Sequence, residues 1–162
     1  MAAVLRESGL GAGRLQLEVT ESVIMNTGDA LDCINDLRAV GVGLAIDDFG
    51  TGYSSLAYLN QLPVETLKID RSFIQDIATD ANNEAIAVAI IQLGKSLNLS
   101  VLAEGVETEA QAAFLRRHGC RQAQGYLYGR PAAPDDILSR WRQGQEGHDE
   151  STGAGVSERS EA

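Results

Sequence analysis

The sequence predicts an α/β fold of the barrel type, and three observations predict it. Five strand-like runs alternate with helix-like runs, the order that parallel strands with crossover helices produce. Within the strand runs one face is apolar and the other small or polar. Leu15, Leu17 and Val19 oppose Gln16, Glu18 and Thr20; Leu44 and Ile46 oppose Gly43, Ala45 and Asp47; Leu67 and Ile69 oppose Thr66, Lys68 and Asp70. A doubly wound sheet is apolar on both faces, whereas a barrel turns only one face to its helices. Each strand run also delivers a polar or ionisable residue at its C-terminal end, where barrel sites lie. Five runs fall short of the eight of a closed barrel, so the expected architecture is a partial TIM-like β/α barrel, about five of eight strands.

A short helical piece over residues 4–8 precedes the first strand, 14–20. The helix over 28–40 follows from the stripe Leu31, Ile34, Leu37 and Val40. The second strand is 42–47, an apolar run that stops at two acids, and a short helix is expected over 54–60. Pro63 marks the break before the third strand, 66–70. The helix over 83–97 places Ile86, Ala89, Ile90, Leu93 and Leu97 on one face. The fourth strand is 100–104. The next helix, 109–118, is closed by Gly119, a usual residue past a helix end. The fifth strand is 123–126 and a final helix is expected over 134–142. Residues 143–162 are rich in Gly, Ser and Glu and are predicted to be disordered, which sets the folded part at 1–142.

The most informative stretch is Asp47-Asp48-Phe49-Gly50-Thr51-Gly52-Tyr53-Ser54-Ser55-Leu56. Two adjacent carboxylates stand where a strand ends, and two glycines free the loop behind them. Adjacent strand residues start on opposite faces, yet both acids can turn onto one cation where the strand peels away. Adjacent buried anions are costly unless something positive lies between them. A turn in which the acids only cap backbone N–H groups is the bland alternative. Glu18 and Glu21 follow the same logic at the first strand end: Glu18 on the polar face, Glu21 placed to brace a neighbouring loop or to cap the next turn. Lys68 sits on the polar face as well. It can pair with Asp47, hold a phosphate, or form a Schiff base with a carbonyl. Glu104 ends the fourth strand, with a glycine after it that permits close ligand approach, and Gln124 ends the fifth. Glu107 and Thr108 are read as the start of the next helix, and Glu84-Ala85-Ile86 as part of an amphipathic helix rather than a catalytic motif.

Composition narrows the chemistry. The 162 residues are 44% hydrophobic and 22% charged, with a net charge of −10. A basic face for a nucleic-acid polymer is not expected. No apolar run is long enough to span a bilayer and no signal-peptide pattern opens the chain, so a cytoplasmic location is expected, free or on the cytoplasmic side of a larger membrane protein. Cys33 and Cys120 are far apart and read as reduced thiols. His118 reads as a helix-end residue and His148 lies in the tail, which excludes a His-Glu-x-x-His zinc site. An oxygen-rich carboxylate site suits Mg²⁺, Mn²⁺ or Ca²⁺.

The chain resembles the EAL-domain family, which hydrolyses the second messenger cyclic di-GMP. The matching stretches are residues 17–22 (LEVTES), 47–56 (DDFGTGYSSL), 67–74 (LKIDRSFI), 102–108 (LAEGVET) and 124–131 (QGYLYGRP), in the family's order. The resemblance implies a cyclic-di-GMP phosphodiesterase of bacterial signal transduction that yields linear pGpG with Mg²⁺ or Mn²⁺ at a two-metal site. It implies Glu18, Asp47 and Asp48 as metal ligands, with Asp47 shared between the ions. Lys68 and Glu104 are implied as the pair around the attacking water, Glu104 as base or second-metal ligand, with Gln124 orienting them. Glu21 is implied to steady the 47–55 loop. Thr20, Gly50, Thr51, Gly52, Tyr53, Ser54 and Asp70 are expected to face the substrate. The family's namesake Glu-Ala-Leu and an upstream Asn ligand have no counterpart in these residues. The implied two-metal site is therefore incomplete here, and little turnover is expected from this chain alone. A cyclic-di-GMP-binding or regulatory module without catalysis is the alternative. Unpaired sheet edges predict self-association, a homodimer being its simplest form.

Overall fold

A computed structural model describes residues 1–26, 30–52 and 59–139. It divides into two units, Met1–Gly129 and Arg130–Ala162. The first unit holds the sheet. In chain order it contains α1 (Ala2–Ser8), β1 (Gln16–Thr20), α2 (Glu21–Asn26), α3 (Ala30–Val40), β2 (Gly43–Phe49), β3 (Thr66–Ile69), α4 (Arg71–Gln75), α5 (Ala81–Ser96), β4 (Ser100–Ala103), α6 (Glu109–His118) and β5 (Gln122–Ala123). In the second unit a helix, α7, covers 134–139. The short helix expected over 54–60, apart from its last two residues, and the tail expected over 143–162 lie outside the described residues.

The strands are parallel and lie in the order β1-β2-β3-β4-β5. Each crossover steps to the next strand in one direction, and right-handed crossovers of that kind put the helices on one face. That is the winding of a barrel wall. A doubly wound sheet reverses direction partway. The helix-facing side carries the core: Leu44, Ile46, Leu67, Ile69 and Ala103 are buried, packed with Ile74, Ile91 and Leu115. Leu17 and Val19 are only half-buried.

Two helices escaped the sequence reading. α2 begins directly after β1 and α4 one residue after β3, and neither is long enough to show a periodic stripe. α4 is marked by its cap instead: the Asp70 side chain accepts the Ser72 N–H at 3.0 Å. The stripe expected on α5 is also turned. Its buried residues are Ala87, Ile90, Ile91 and Gly94, while Ile86 is exposed. Gly94 explains the turn. A Cβ there would lie 2.2 Å from Val101 Cγ2, so β4 packs into the space a side chain would fill. α6 matches its expected span. Thr108 and Gln111 form a capping box, and Gly119 closes the helix in the left-handed conformation at φ 84°. Cys33 is exposed, Cys120 is buried, and both are free thiols.

Candidate functional site

The polar face of the sheet changes character along its length. At the strand N-termini the Gln16 side-chain amide donates to Thr66 Oγ1 at 3.0 Å. One turn of the pleat further, Lys68 rises from β3 into a ring of acids. Its Nζ lies 2.7 Å from Glu18 Oε1, 2.7 Å from Glu104 Oε1 and 2.9 Å from Asp47 Oδ1. The lysine is 2% exposed. Burial alone would lower its pKa, but the bonds to Glu104, Glu18 and Asp47 outweigh it and hold the ammonium above its ordinary value. Lys68 is therefore a fixed cation, and the unprotonated amine that a Schiff base requires is suppressed.

The two adjacent acids reach one point through a break in the strand. The β2–β3 register shifts between Ile46 and Phe49, and Asp48 adopts a left-handed φ of 54°. The bulge cancels the normal alternation of side chains. Ligand oxygens of Asp47, Asp48 and Glu104 consequently lie within 4.8 Å of one another. Among the described residues this is the one such group of three. The Asp48 carboxyl is pushed up, by burial first and then by Asp47 and Asp70. Glu104 is also pushed up by burial, with Lys68 opposing and Asp47 and Glu18 adding to the rise. Asp47 Oδ1 is buried and has no aligned hydrogen bond, although it stands within ion-pair distance of Lys68. Asp47 is paired with Lys68 by charge at 2.9 Å, because an ammonium with two closer carboxylates has little angular freedom for a third. Three crowded oxygens, one of them short of hydrogen bonds, form a hard donor set that fits a divalent cation.

The supporting residues are held by their own elements. Glu21, the first residue of α2, is 6% exposed, and its Oε2 accepts the Gly50 N–H at 3.1 Å. Gly50 has φ 98°, a conformation that glycine supplies without strain, and it turns the chain straight after Phe49. Thr51 donates its hydroxyl to the Asp48 carbonyl at 2.8 Å. Gln124 lies one residue past β5. Its N–H donates to the Ala103 carbonyl, and its side-chain amide donates to Glu104 Oε1 at 2.7 Å. Thr20 Oγ1 lies 3.3 Å from Ser22 Oγ. Asp70 caps α4 through the N–H and the hydroxyl of Ser72. Burial would raise its pKa, but the Ser72 bonds and the neighbouring Arg71 hold it below the usual value.

Glu18, Asp47, Asp48, Lys68, Glu104 and Gln124 are thus linked by direct contacts or by the three-carboxylate group, and Glu21 is bonded to the loop behind them. Glu18, expected among the ligands, is 48% exposed at its side chain and bonded to Lys68, while Glu104 takes the third place beside Asp47 and Asp48. Tyr53 and Ser54 lie outside the described residues. The space beside Gly105, expected for a ligand, is taken by Arg71: a Cβ on Gly105 would lie 2.6 Å from Arg71 Cβ. Ser72, which fixes Asp70, went unnoticed in the sequence; the Asp-x-Ser pattern of a helix start was the available signal.

The EAL domain family model matches residues 1–131, and the chain belongs to that family. It is 54% identical over 138 residues to MucR of Pseudomonas aeruginosa, a bifunctional diguanylate cyclase and cyclic di-GMP phosphodiesterase, covering 85% of this chain and 20% of that protein. It is 51% identical over 142 residues to NbdA, a cyclic di-GMP phosphodiesterase of the same organism, covering 85% and 18%. The chain thus spans about a fifth of the length of these relatives. Among solved structures, the MucR phosphodiesterase in complex with c-di-GMP superposes with TM-score 0.81 at 52% identity, over 84% of this chain and 56% of that one. The EAL domain of Mycobacterium smegmatis DcpA gives 0.81 at 43%, over 88% and 65%. A manganese and cyclic-di-GMP complex of Klebsiella pneumoniae BlrP1 gives 0.75 at 33% identity, over 81% of this chain and 34% of that one.

Proposed function

We propose that this EAL-family chain carries the catalytic wall of a cyclic-di-GMP phosphodiesterase that opens its substrate to linear pGpG with Mg²⁺ or Mn²⁺. The observation that carries the reading is the convergence of Asp47, Asp48 and Glu104 oxygens within 4.8 Å, beside a buried lysine already bonded to acids. Bound divalent ions supply a water of lowered pKa and offset charge on the phosphoryl oxygens. The residues of the chain do the rest. Asp47, Asp48 and Glu104 hold the ions, and Glu18 joins them from β1. Lys68 keeps its proton and neutralises the acids around the attacked phosphorus. The Gln124 amide and Lys68 both engage Glu104 Oε1, and through its other oxygen Glu104 either holds the second ion or accepts a proton from the attacking water. Glu21 holds the 47–52 loop through Gly50. Thr20, Gly50, Thr51, Gly52 and Asp70 are the rim against which the nucleotide lies in this reading; Tyr53 and Ser54 are given the same role on the sequence resemblance alone. A homodimer and a cytoplasmic site of action belong to the same reading; no helix among the described residues is long and apolar enough to cross a membrane.

One observation favours a second reading. Glu18 is engaged by Lys68, so the three grouped carboxylates are few for two ions, and a module that binds cyclic di-GMP without cutting it fits such a partial set. The test is to incubate the protein with cyclic di-GMP and Mg²⁺ or Mn²⁺ and to separate the products by chromatography, with chelator and Asp47→Asn as controls. The expected result is a small but metal-dependent yield of pGpG, because the Glu-Ala-Leu and Asn ligands have no counterpart in these residues. Tight binding with no pGpG in either metal would replace the hydrolase with the binding module.

A further inference from the structure

Among the described residues, the mouth of the sheet holds one cation, Arg71, that makes no ion pair. Lys68 has a carboxylate at each of three close contacts, so none of its N–H bonds is free for a second anionic group. Arg71 is different. It is the first residue of α4, directly after Asp70, and it is exposed. Its stem packs on Gly105, the residue after Glu104. The exits of β3 and β4 therefore both fix where this side chain leaves the fold, one residue from Asp70 and one from Glu104. Among the described residues its guanidinium takes part in no ion pair. A cation at the first position of a helix also gains nothing from the helix dipole, so α4 itself does not account for it. An exposed arginine is most often a solvated surface charge. The pinned stem and the position at the lip of the acidic group separate Arg71 from that ordinary case.

We infer that Arg71 is a substrate-positioning residue that grips the second phosphate of cyclic di-GMP, the one that is not cut. The inference rests on the phosphodiesterase reading and goes beyond it. The substrate carries two phosphodiesters, each with one negative charge. Lys68 and the bound ions serve the phosphate at the acids, and the other needs a cation at the rim. A guanidinium fork presents two parallel N–H donors that match the two non-bridging oxygens of a phosphodiester, which an ammonium does not.

The experiment measures equilibrium binding of cyclic di-GMP to the whole chain in Mn²⁺, with Arg71→Met and Arg71→Lys compared with wild type. Methionine retains an unbranched apolar stem against Gly105, and thermal melts of each variant report folding. Mn²⁺ binding is measured separately. A 7-deazaguanine analogue of cyclic di-GMP, which keeps both phosphates but lacks the N7 acceptor, completes the set. Arg71→Met is expected to weaken both nucleotides by the same factor, about 10- to 100-fold, the loss of a charge-assisted bidentate contact. Arg71→Lys should fall between, and Mn²⁺ affinity should stay within twofold. Nucleotide affinity unchanged in Arg71→Met would overturn the assignment while leaving the phosphodiesterase reading in place. A loss seen with cyclic di-GMP and absent with the deaza analogue would mean that Arg71 reads the base, and would overturn the phosphate role. A wild-type chain that binds Mn²⁺ but no cyclic di-GMP would bring down the functional reading and this inference together.

Discussion

The two ends of the same polar face make different use of buried polarity. At the strand N-termini Gln16 and Thr66 satisfy each other with one neutral hydrogen bond, and no charge is left over. At the C-termini Glu18, Asp47 and Glu104 surround a single lysine with Asp48 grouped beside two of them, two carboxyls are pushed above their usual pKa, and a buried Asp47 oxygen has no aligned hydrogen bond. The lower end is closed and structural. The upper end holds electrostatic tension that a bound proton or a further cation relieves, and the tension is the signature of the site.

Breaking the upper end should have the largest consequence. Asp47→Ala is expected to cut metal-dependent turnover by at least about a hundredfold, because Asp47 is one of the three crowded donors and also faces Lys68. The metal-free protein should melt at the same or a higher temperature, since one of several repelling anions is gone. Wild-type rates in the mutant under equal Mn²⁺ would remove the metal assignment. Lys68→Met should follow. It leaves three carboxylates without their cation and should destabilise the metal-free protein by about 3 kcal/mol, read from denaturant unfolding. Its kcat should drop more than its KM rises. A change in KM alone would make Lys68 a recognition residue.

Acidity sharpens the same contrast. Asp48 and Glu104 are raised from ordinary values of 3.8 and 4.5, so the folded chain binds more protons than the unfolded one in the range just above those values. Metal-free stability must therefore fall as pH rises through that range, and saturating Mn²⁺ should abolish the fall. Asp70, lowered from 3.8, acts with the opposite sign at lower pH: its contribution is present above that value and is lost as pH falls. Unfolding at a series of pH values, with and without Mn²⁺, checks both. The smallest effect belongs to the lower end. Thr66→Val should cost about 1 kcal/mol or less and leave Mn²⁺ affinity unchanged, because it removes one neutral bond to a partly exposed partner. A shift in metal affinity there would show that the two ends are coupled.

The sequence by itself determined the alternation of strands and helices along the chain, the two unlike faces of the first three strands, and the acids at the strand ends. Those properties are local: period-two alternation in 15–20, 43–47 and 66–70 is visible in any window that contains it, and capping at Thr108 and closure at Gly119 need only neighbouring residues. Pairing across strands was not local, and the tertiary structure decided it. No spacing in the chain says that Lys68 takes Glu18, Asp47 and Glu104 together, residues up to 50 and 36 positions away. Nor does alternation permit Asp47 and Asp48 to reach one point; the register shift beside β3 and the left-handed Asp48 permit it. The short helices α2 and α4 and the turned face of α5 were hidden for a related reason. Packing against the sheet, as at Gly94 and Val101, sets which side of a helix is buried, and a helix of one or two turns leaves too little periodicity to read.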